Sequence, residues 1–599
     1  MKQVMLVLIV LFTSLLGGYL SPQWGITLFF FLTVLLFFFV GPEIRIRKDE
    51  ALSLLFACCG VASVSYAGDK WGAILFSGSL VAGSLFYVAL RNSSGWDVLL
   101  LKAILIGGCS VGLGEALRQV GLLPHSLFYN PNPLSGFLTP LVPVSLYLYS
   151  RYRKPIYAAA SMMLVFANFL SASRTGVATM ILAFAVMAVF YCRGRDRASV
   201  KTLLLIFLVG FFSFLLFSEA KDVLAVKETI GMMEKRPTGV LQRAYLLKVT
   251  FQVVGQAPFL GHGLNSFLGA MSAVSNPYVV DPSVHAHSLY LNILAELGVV
   301  GLALFACFIA VVLGNPARPF FPLKVALISF LFHNLVEYNF PPPTFQVLFY
   351  LLCAAVMQEK SAETSFLRIR GRPAQALPLF LALYFSLVNL SPICGFILLD
   401  RANAALQKGY MAKALRYLFA STYFGYSVSA FAADTAQLLA DTYFTSDIKD
   451  SKLIEIAEKN YVKALALNSL YGPLYVNVAS FYASTGRPDR GQVYLQKVID
   501  KYPYHQEYRF ALARLFATQG RTKEAAELLE ASNTVLKNHA PLHPLRVHVL
   551  LCLAQLYGLA GDEQRSEESM AKARRLRNML DKDGSPVTGK KAILNAPTR

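Results

Sequence analysis

The chain has 599 residues, of which 55% are hydrophobic and 15% charged, with a formal net charge of +20. That is too apolar for a soluble protein of this length and implies a polytopic membrane protein. The basic residues gather in alternate short loops, which is a signal of membrane topology and argues against nucleic acid as a partner.

Taken in chain order, apolar runs near 4–20, 25–40, 51–67, 71–90, 98–116, 136–150, 156–172, 176–192, 202–218, 287–313, 323–338, 344–357 and 376–398 predict about 12–13 transmembrane helices in a domain spanning 1–398. The run after Lys2 has no small-residue cleavage site and is followed at once by another span, so it is expected to be retained. Arg45, Arg47, Lys48, Arg91, Arg151, Arg153, Lys154, Arg193 and Arg195 fall in alternate loops, whereas the intervening short loops hold only Lys70, Arg118 and Arg174. The basic side is expected to be cytoplasmic. The long loop 219–286 and everything after 398 are then expected outside the cytoplasm, in a periplasm. Of the eight cysteines, only Cys552 stands away from a span, and no disulfide framework or Cys-x-x-Cys metal motif is visible.

Three polar clusters interrupt the apolar pattern on the expected outer side, with a fourth, weaker one beyond them. "SASRTG", 171–176, places Arg174 at a membrane surface, where a guanidinium offers bidentate donors to phosphate oxygens or anchors the span to lipid. "TGVLQRAYLLKVTFQVVGQAPFLGHGLNSF", 238–267, predicts a helix from Thr238 to about Val254 with an apolar side suited to a membrane surface. Arg243 lies in its first turns, where the positive helix end favours an anion; Lys248 is a weaker basic candidate. Gly255, Pro258, Gly261 and Gly263 then force a turn that carries His262.

"VHAHSLYLNILAELGVVGLALF", 284–305, opens a span with His285 and His287 and carries Ser288, Asn292 and Glu296 at four-residue spacing on one face. A carboxyl at that depth must be paired, so Asn292 and Glu296 are expected to form a supporting network, with Gly298 and Gly301 as a smooth face for a neighbouring helix. In "FHNLVEYNFPPPTF", 332–345, His333 and Glu337 stand at helical spacing near another outer loop.

After the last span the pattern changes to charged, Tyr- and Ala-rich helices. A shift of 34 residues superposes Ala479 on Ala513, Tyr482 on Phe516, Gly486 on Gly520, Gly491 on Ala525 and Leu495 on Leu529. This period resembles the tetratricopeptide repeat (TPR) and predicts an α-solenoid over 399–578, whose concave face would hold a peptide or protein partner or else serve as a scaffold. The tail 579–599 is expected to be disordered.

The motifs "SASRTG", "LQRAYLL", "APFLGHGLNSF" and "HAHSLYLNILAELGVVGLALF", in this order around a long loop, resemble the bacterial O-antigen ligase and O-antigen polymerase superfamily. The resemblance implies an all-α membrane glycosyltransferase of the inner membrane. Its expected activity is transfer of an oligo- or polysaccharide from undecaprenyl diphosphate to an acceptor hydroxyl, without metal or cofactor and with inversion. It implies that Arg174 and Arg243 contact the donor diphosphate and that His287 lies beside the acceptor. "HAHS" departs from the usual single His followed by Asn, which leaves His285 as the alternative base. The acceptor is expected to be a lipid A-core or related glycolipid, with a pilin-like protein or a growing glycan as alternatives. The non-enzyme readings are a solute transporter using Glu296 and an assembly scaffold built on the repeats.

Overall fold

The computed structural model describes residues 2–16, 22–37, 43–123, 128, 130–219, 238–277, 282–315, 321–357, 367–370, 376, 391–392, 394–424, 428–445 and 449–582. Most of the expected span at 376–398 and most of the expected disordered tail lie outside these residues. The chain divides into two compact units, Met1–Phe267 with Val284–Val428, and Leu268–Ser283 with Ser429–Arg599. This differs from a division at 398. Residues 399–428 go with the first unit, and a piece of the long loop goes with the second.

The first unit contains α1 (Lys2–Leu16), α2 (Pro22–Phe37), β1 (Glu43–Ile46), α3 (Lys48–Ser63), α4 (Lys70–Arg91) and α5 (Asp97–Gln119). These are followed by α6 (Pro131–Leu138), α7 (Leu141–Tyr152), α8 (Pro155–Leu170), α9 (Arg174–Arg193), α10 (Arg197–Glu219) and α11 (Thr238–Gln256). The short α12 (Phe267–Val274), which apart from its first residue goes with the second unit, precedes α13 (Leu289–Leu313), α14 (Phe321–His333), α15 (Pro343–Val356), β2 (Leu367–Arg370) and α16 (Met411–Phe424).

Among the described residues five helices, α4, α5, α9, α10 and α13, are long and apolar enough to cross a membrane, and shorter apolar helices pack beside them. The 14-residue α15 is buried along its whole length. At ~1.5 Å per residue it is shorter than a ~30 Å hydrocarbon core, and it is apolar because it is enclosed by protein. The run expected as one span over 136–150 is two helices, α6 and α7, divided at Thr139 and Pro140.

At the end of the unit that carries the basic loops, β1 and β2 form an antiparallel ribbon with Glu43 opposite Arg370 and Arg45 opposite Arg368. Alternation turns Ile44 and Ile369 onto the bundle. Beside it, Arg91 Nε lies 3.1 Å from Asp49 Oδ2, which also accepts from Tyr87 Oη at 2.6 Å, so the two buried charges face each other, while Asp49 Oδ1 and Arg91 Nη2 have no hydrogen-bond partner among the described residues.

At the other end α13 is broken. Gly298 adopts φ 66° and ψ −168°, a conformation essentially reserved for glycine. The break frees backbone groups that a continuous helix would pair, and the turn "APFLGHG" pairs them instead. His262 N–H donates to Ala295 O at 3.0 Å and Gly263 N–H to Glu296 O at 2.8 Å. In return Val299 N–H donates to Pro258 O at 2.9 Å and Val300 N–H to Phe259 O at 3.3 Å. The approach needs glycine on both sides: a Cβ on Gly298 would lie 2.2 Å from Phe259 O, and one on Gly261 2.4 Å from Glu296 O. Gly298 therefore does not serve as a smooth helix face, as the sequence suggests; it is a hinge in the backbone filled by a loop.

The second unit is built from helical hairpins: α17 (Ser429–Thr445) with α18 (Ser451–Leu467), α19 (Gly472–Ser484) with α20 (Pro488–Lys501), α21 (Gln506–Thr518) with α22 (Thr522–His539), and α23 (Pro544–Leu559) with α24 (Glu563–Lys582). The last three hairpins turn at Gly486, Gly520 and Gly561, with φ of 73°, 76° and 77°, the left-handed values that favour glycine. At Gly491, a Cβ would come within 2.8 Å of Ala479 O, so the small residues in the repeat pattern are where α20 crosses α19. The fold is all-α, membrane helices followed by TPR-like helical repeats. The final helix continues to Lys582, past the point where disorder is expected.

Gly298→Ala should combine a left-handed backbone with a backbone collision and destabilise the protein by about 3 kcal/mol or more. Thermal unfolding of the detergent-solubilised protein would test this, and a melting temperature equal to the unsubstituted protein's would contradict the account of the break.

Candidate functional site

The helix break positions two polar anchors. The Glu296 carboxylate accepts from Phe267 N–H at 3.3 Å and also faces the amides of Asn265 and Ser266 and the Asn292 side chain. Asn292 Oδ1 accepts from Ala286 N–H at 3.1 Å, and the Asn292 side chain also bonds Tyr338. Both residues therefore hold backbone, as a supporting network would. Ser288 caps α13 by accepting from Leu291 N–H. Leu289 N–H donates to Asn334 O at 2.9 Å and Glu337 O at 3.1 Å, tying the start of α13 to the turn after α14.

Between these anchors lie the histidines. The rings of His285 and His287 meet edge to face with centroids 4.6 Å apart, and His285 also faces the Tyr338 ring at 5.5 Å. His287 is held at φ 50°, and its Nδ1 is buried without a hydrogen-bond partner among the described residues. Burial, and after it the Arg243 guanidinium, keep the His287 imidazole below its ordinary value of 6.5. Burial, with His287 beside it, pushes His285 down to about 4. Both imidazoles are therefore neutral near pH 7, the state in which a histidine accepts a proton.

Arg243 sits on α11, half-exposed, with Nη2 3.5 Å from Glu337 Oε1. The Glu337 carboxylate accepts from Asn132 Nδ2 at 2.6 Å. Burial raises its pKa to about 7 against the opposing pull of Arg243 and Asn132. Asn132 Oδ1 in turn accepts from Ser173 Oγ at 2.8 Å, and Ser173 caps α9 by accepting from Gly176 N–H. Arg174, exposed, is the first residue of that helix. The two arginines thus belong to elements joined by one continuous chain of contacts through Glu337, Asn132 and Ser173.

Gly176 belongs to this joint, since a Cβ there would fall on Ser135 Oγ of α6. His333 is fully buried and places Nε2 3.1 Å from Asn132 O. The helical spacing expected for His333 and Glu337 is not realised, because α14 ends at His333 and Glu337 lies in the following turn. Both nevertheless reach Asn132, one through its carbonyl and one through its amide.

His262 bonds Val253 O through Nε2 at 2.9 Å and serves the turn, and Lys248 is exposed on α11. Leu247 and Phe251, on the side of α11 expected at a membrane surface, are exposed, while Leu246, Val249 and Val253 face protein. Asn132 was not singled out in the sequence; its one local signal is "NPNP", 130–133, in which Asn130 caps α6 and Pro131 opens it. Among the described residues no group of three or more His, Cys, Asp or Glu side chains is gathered as a metal-binding cluster.

Residues 159–306 match the family model described as O-Antigen ligase. No curated protein sequence matches the chain. Among solved structures, MamA aligns with 32% of this chain and 94% of its own at 15% identity and a TM-score of 0.24. YrrB, described as a TPR protein with an unusual peptide-binding site, aligns with 31% of this chain and 89% of its own at 16% identity and a TM-score of 0.22. The stretch 159–306, which contains Arg174, Arg243, His285 and His287, is therefore an O-antigen ligase family domain, carried in a chain that also has TPR-like helical repeats.

Proposed function

We propose that the protein is an inner-membrane glycan ligase that transfers an oligo- or polysaccharide from undecaprenyl diphosphate to an acceptor hydroxyl, on the periplasmic side where the repeats also lie. The family supports a membrane glycan ligase or polymerase in general; the finer reading rests on one observation. The chain of contacts from Arg243 through Glu337, Asn132 and Ser173 to the start of the Arg174 helix couples two cationic elements, and one of them acts electrostatically on His287.

In this reading the diphosphate of the donor binds the two guanidinium groups. His287 accepts the proton of the acceptor hydroxyl as its oxygen attacks the anomeric carbon, and the bond from that carbon to the diphosphate oxygen breaks. The leaving undecaprenyl diphosphate takes the electron pair, and the arginines stabilise its added negative charge. One displacement inverts the anomeric centre, and the imidazolium then returns its proton to water. His287 is the favoured base of the pair because burial and His287 itself push His285 down to about 4, and because His287 lies within electrostatic reach of Arg243, the candidate diphosphate ligand.

The repeats fit a protein partner, and a glycolipid, a pilin-like protein or a growing glycan would each suit the same chemistry. A transporter reading loses its main residue, because the Glu296 carboxylate is occupied by the amides at the start of α12.

The deciding assay supplies the full-length protein in lipid nanodiscs with a labelled undecaprenyl diphosphate glycan and, in separate reactions, lipid A-core, a pilin-like protein or unlabelled carrier-linked glycan. Release of carrier together with a labelled product identifies the acceptor; a well-folded protein that releases no carrier with any of them would refute the proposal.

Arg174→Ala, Arg243→Ala and His287→Ala are each expected to lower the transfer rate by ~10²–10⁴-fold, with His285→Ala less severe. Asn132→Leu, which removes the joint without touching either arginine, should raise the donor KM by ~10-fold, corresponding to ~1.4 kcal/mol of lost donor alignment. The rate should hold as pH falls through 6.5 and decline only below it, because His287 protonates late. Arg243→Gln should move that acid limb upward, and a limb that stays in place in the residual activity would separate Arg243 from the base.

A further inference from the structure

A helix of the long loop is packed as part of the repeat unit. Leu268–Ser283 leaves the first unit after Phe267 and returns to it at Val284. Within the second unit, Gly269 of α12 lies against Leu470, so closely that a Cβ on Gly269 would be 2.4 Å from the Leu470 Cβ. Ala273, one helical turn further on, packs against the repeat core that includes Tyr502, Tyr508 and Leu512. Ala270 and Met271 are buried.

The two ends of this segment bear on the site. Phe267 N–H is held by the Glu296 carboxylate. At the other end Ser283 N–H meets Met271 Sδ of α12 at 3.5 Å, and three residues later Ala286 N–H is held by Asn292. His285 lies between those two held amides. His287 keeps a left-handed backbone that costs about 1–2 kcal/mol and persists only where the flanking chain is fixed.

We propose that the repeat unit clamps this loop: by binding α12, against which Ser283 rests, it fixes the chain that carries His285 and His287, so that the rate of transfer depends on the docking of α12. The proposal rests on the transfer reading above. It makes the repeats a positioning element of the reaction in their own right, with or without a bound partner. Gly269, Leu470 and Ala273 are positioning residues, since they touch neither substrate.

The test is a size exchange in the full-length, nanodisc-embedded protein. Gly269→Ala should undock α12 even though alanine favours helix more than glycine, so a loss cannot be ascribed to helix propensity. Adding Leu470→Gly removes the opposing side chain and should restore the fit. Hydrogen exchange of amides 268–276 reports docking, and the transfer kinetics report its consequence.

The single variant is expected to exchange faster and to lose kcat by ~10-fold or more at unchanged donor KM, with both effects reversed in the double variant. Exchange that stays slow in Gly269→Ala, or fast exchange with an unchanged kcat, would overturn the clamp while leaving the transfer reading intact. Absence of transfer by the unsubstituted protein would instead remove the transfer reading, with the exchange data still showing whether α12 is docked.

Discussion

The site end of the first unit depends on a mutual repair. A membrane helix interrupted in its interior exposes carbonyl and amide groups that lipid cannot satisfy, at a cost of several kcal/mol each. Here the interruption at Gly298 is closed by four backbone hydrogen bonds to the turn at 257–263, and the two segments come close enough because Gly298 presents no side chain to Phe259 and Gly261 none to Glu296. This is a physical reason for the two glycine-bearing motifs to occur together in one sequence. Each satisfies the backbone of the other.

Once the break is closed, charge is used to hold backbone more than to face solvent. Glu296 gathers amides at the start of α12, Asn292 holds Ala286, and Glu337 stands between Arg243 and Asn132. Asn292, by holding the Ala286 amide, fixes the chain between two imidazoles that burial keeps neutral. Such an environment suits proton acceptance near neutral pH, because burial and a nearby guanidinium disfavour the imidazolium until an anionic donor neutralises the guanidinium.

Much of this was legible in the sequence where the signal is local. Repeat period and turn glycines depend on residues close in the chain, and the left-handed turns at Gly486, Gly520 and Gly561 follow the pattern that predicted them. The stripe of Asn292 and Glu296 was readable as a polar network because a deep carboxyl needs partners, and both side chains accept from backbone amides. What stayed hidden depends on distant pairing. Asn132 meets Glu337 across about two hundred positions, and a hydropathy pattern carries no such information. The break at Gly298 was hidden because an apolar run looks the same whether its backbone is helical or not. The apolar run of α15 is ambiguous for a related reason, as enclosure by protein and enclosure by lipid select the same residues.

The ribbon of β1 and β2 sets an order of events. Its first strand is synthesised about 320 residues before its partner, and the wholly buried α15 also arrives late. At ~5–20 residues per second the early helices wait for tens of seconds in the bilayer before the pieces that complete their packing emerge. During that interval the buried Asp49 and Arg91 have each other, on α3 and α4, without needing the late strand. The charge pair is thus available to the nascent chain from the start, a provisional fastening for a bundle whose final closure comes last.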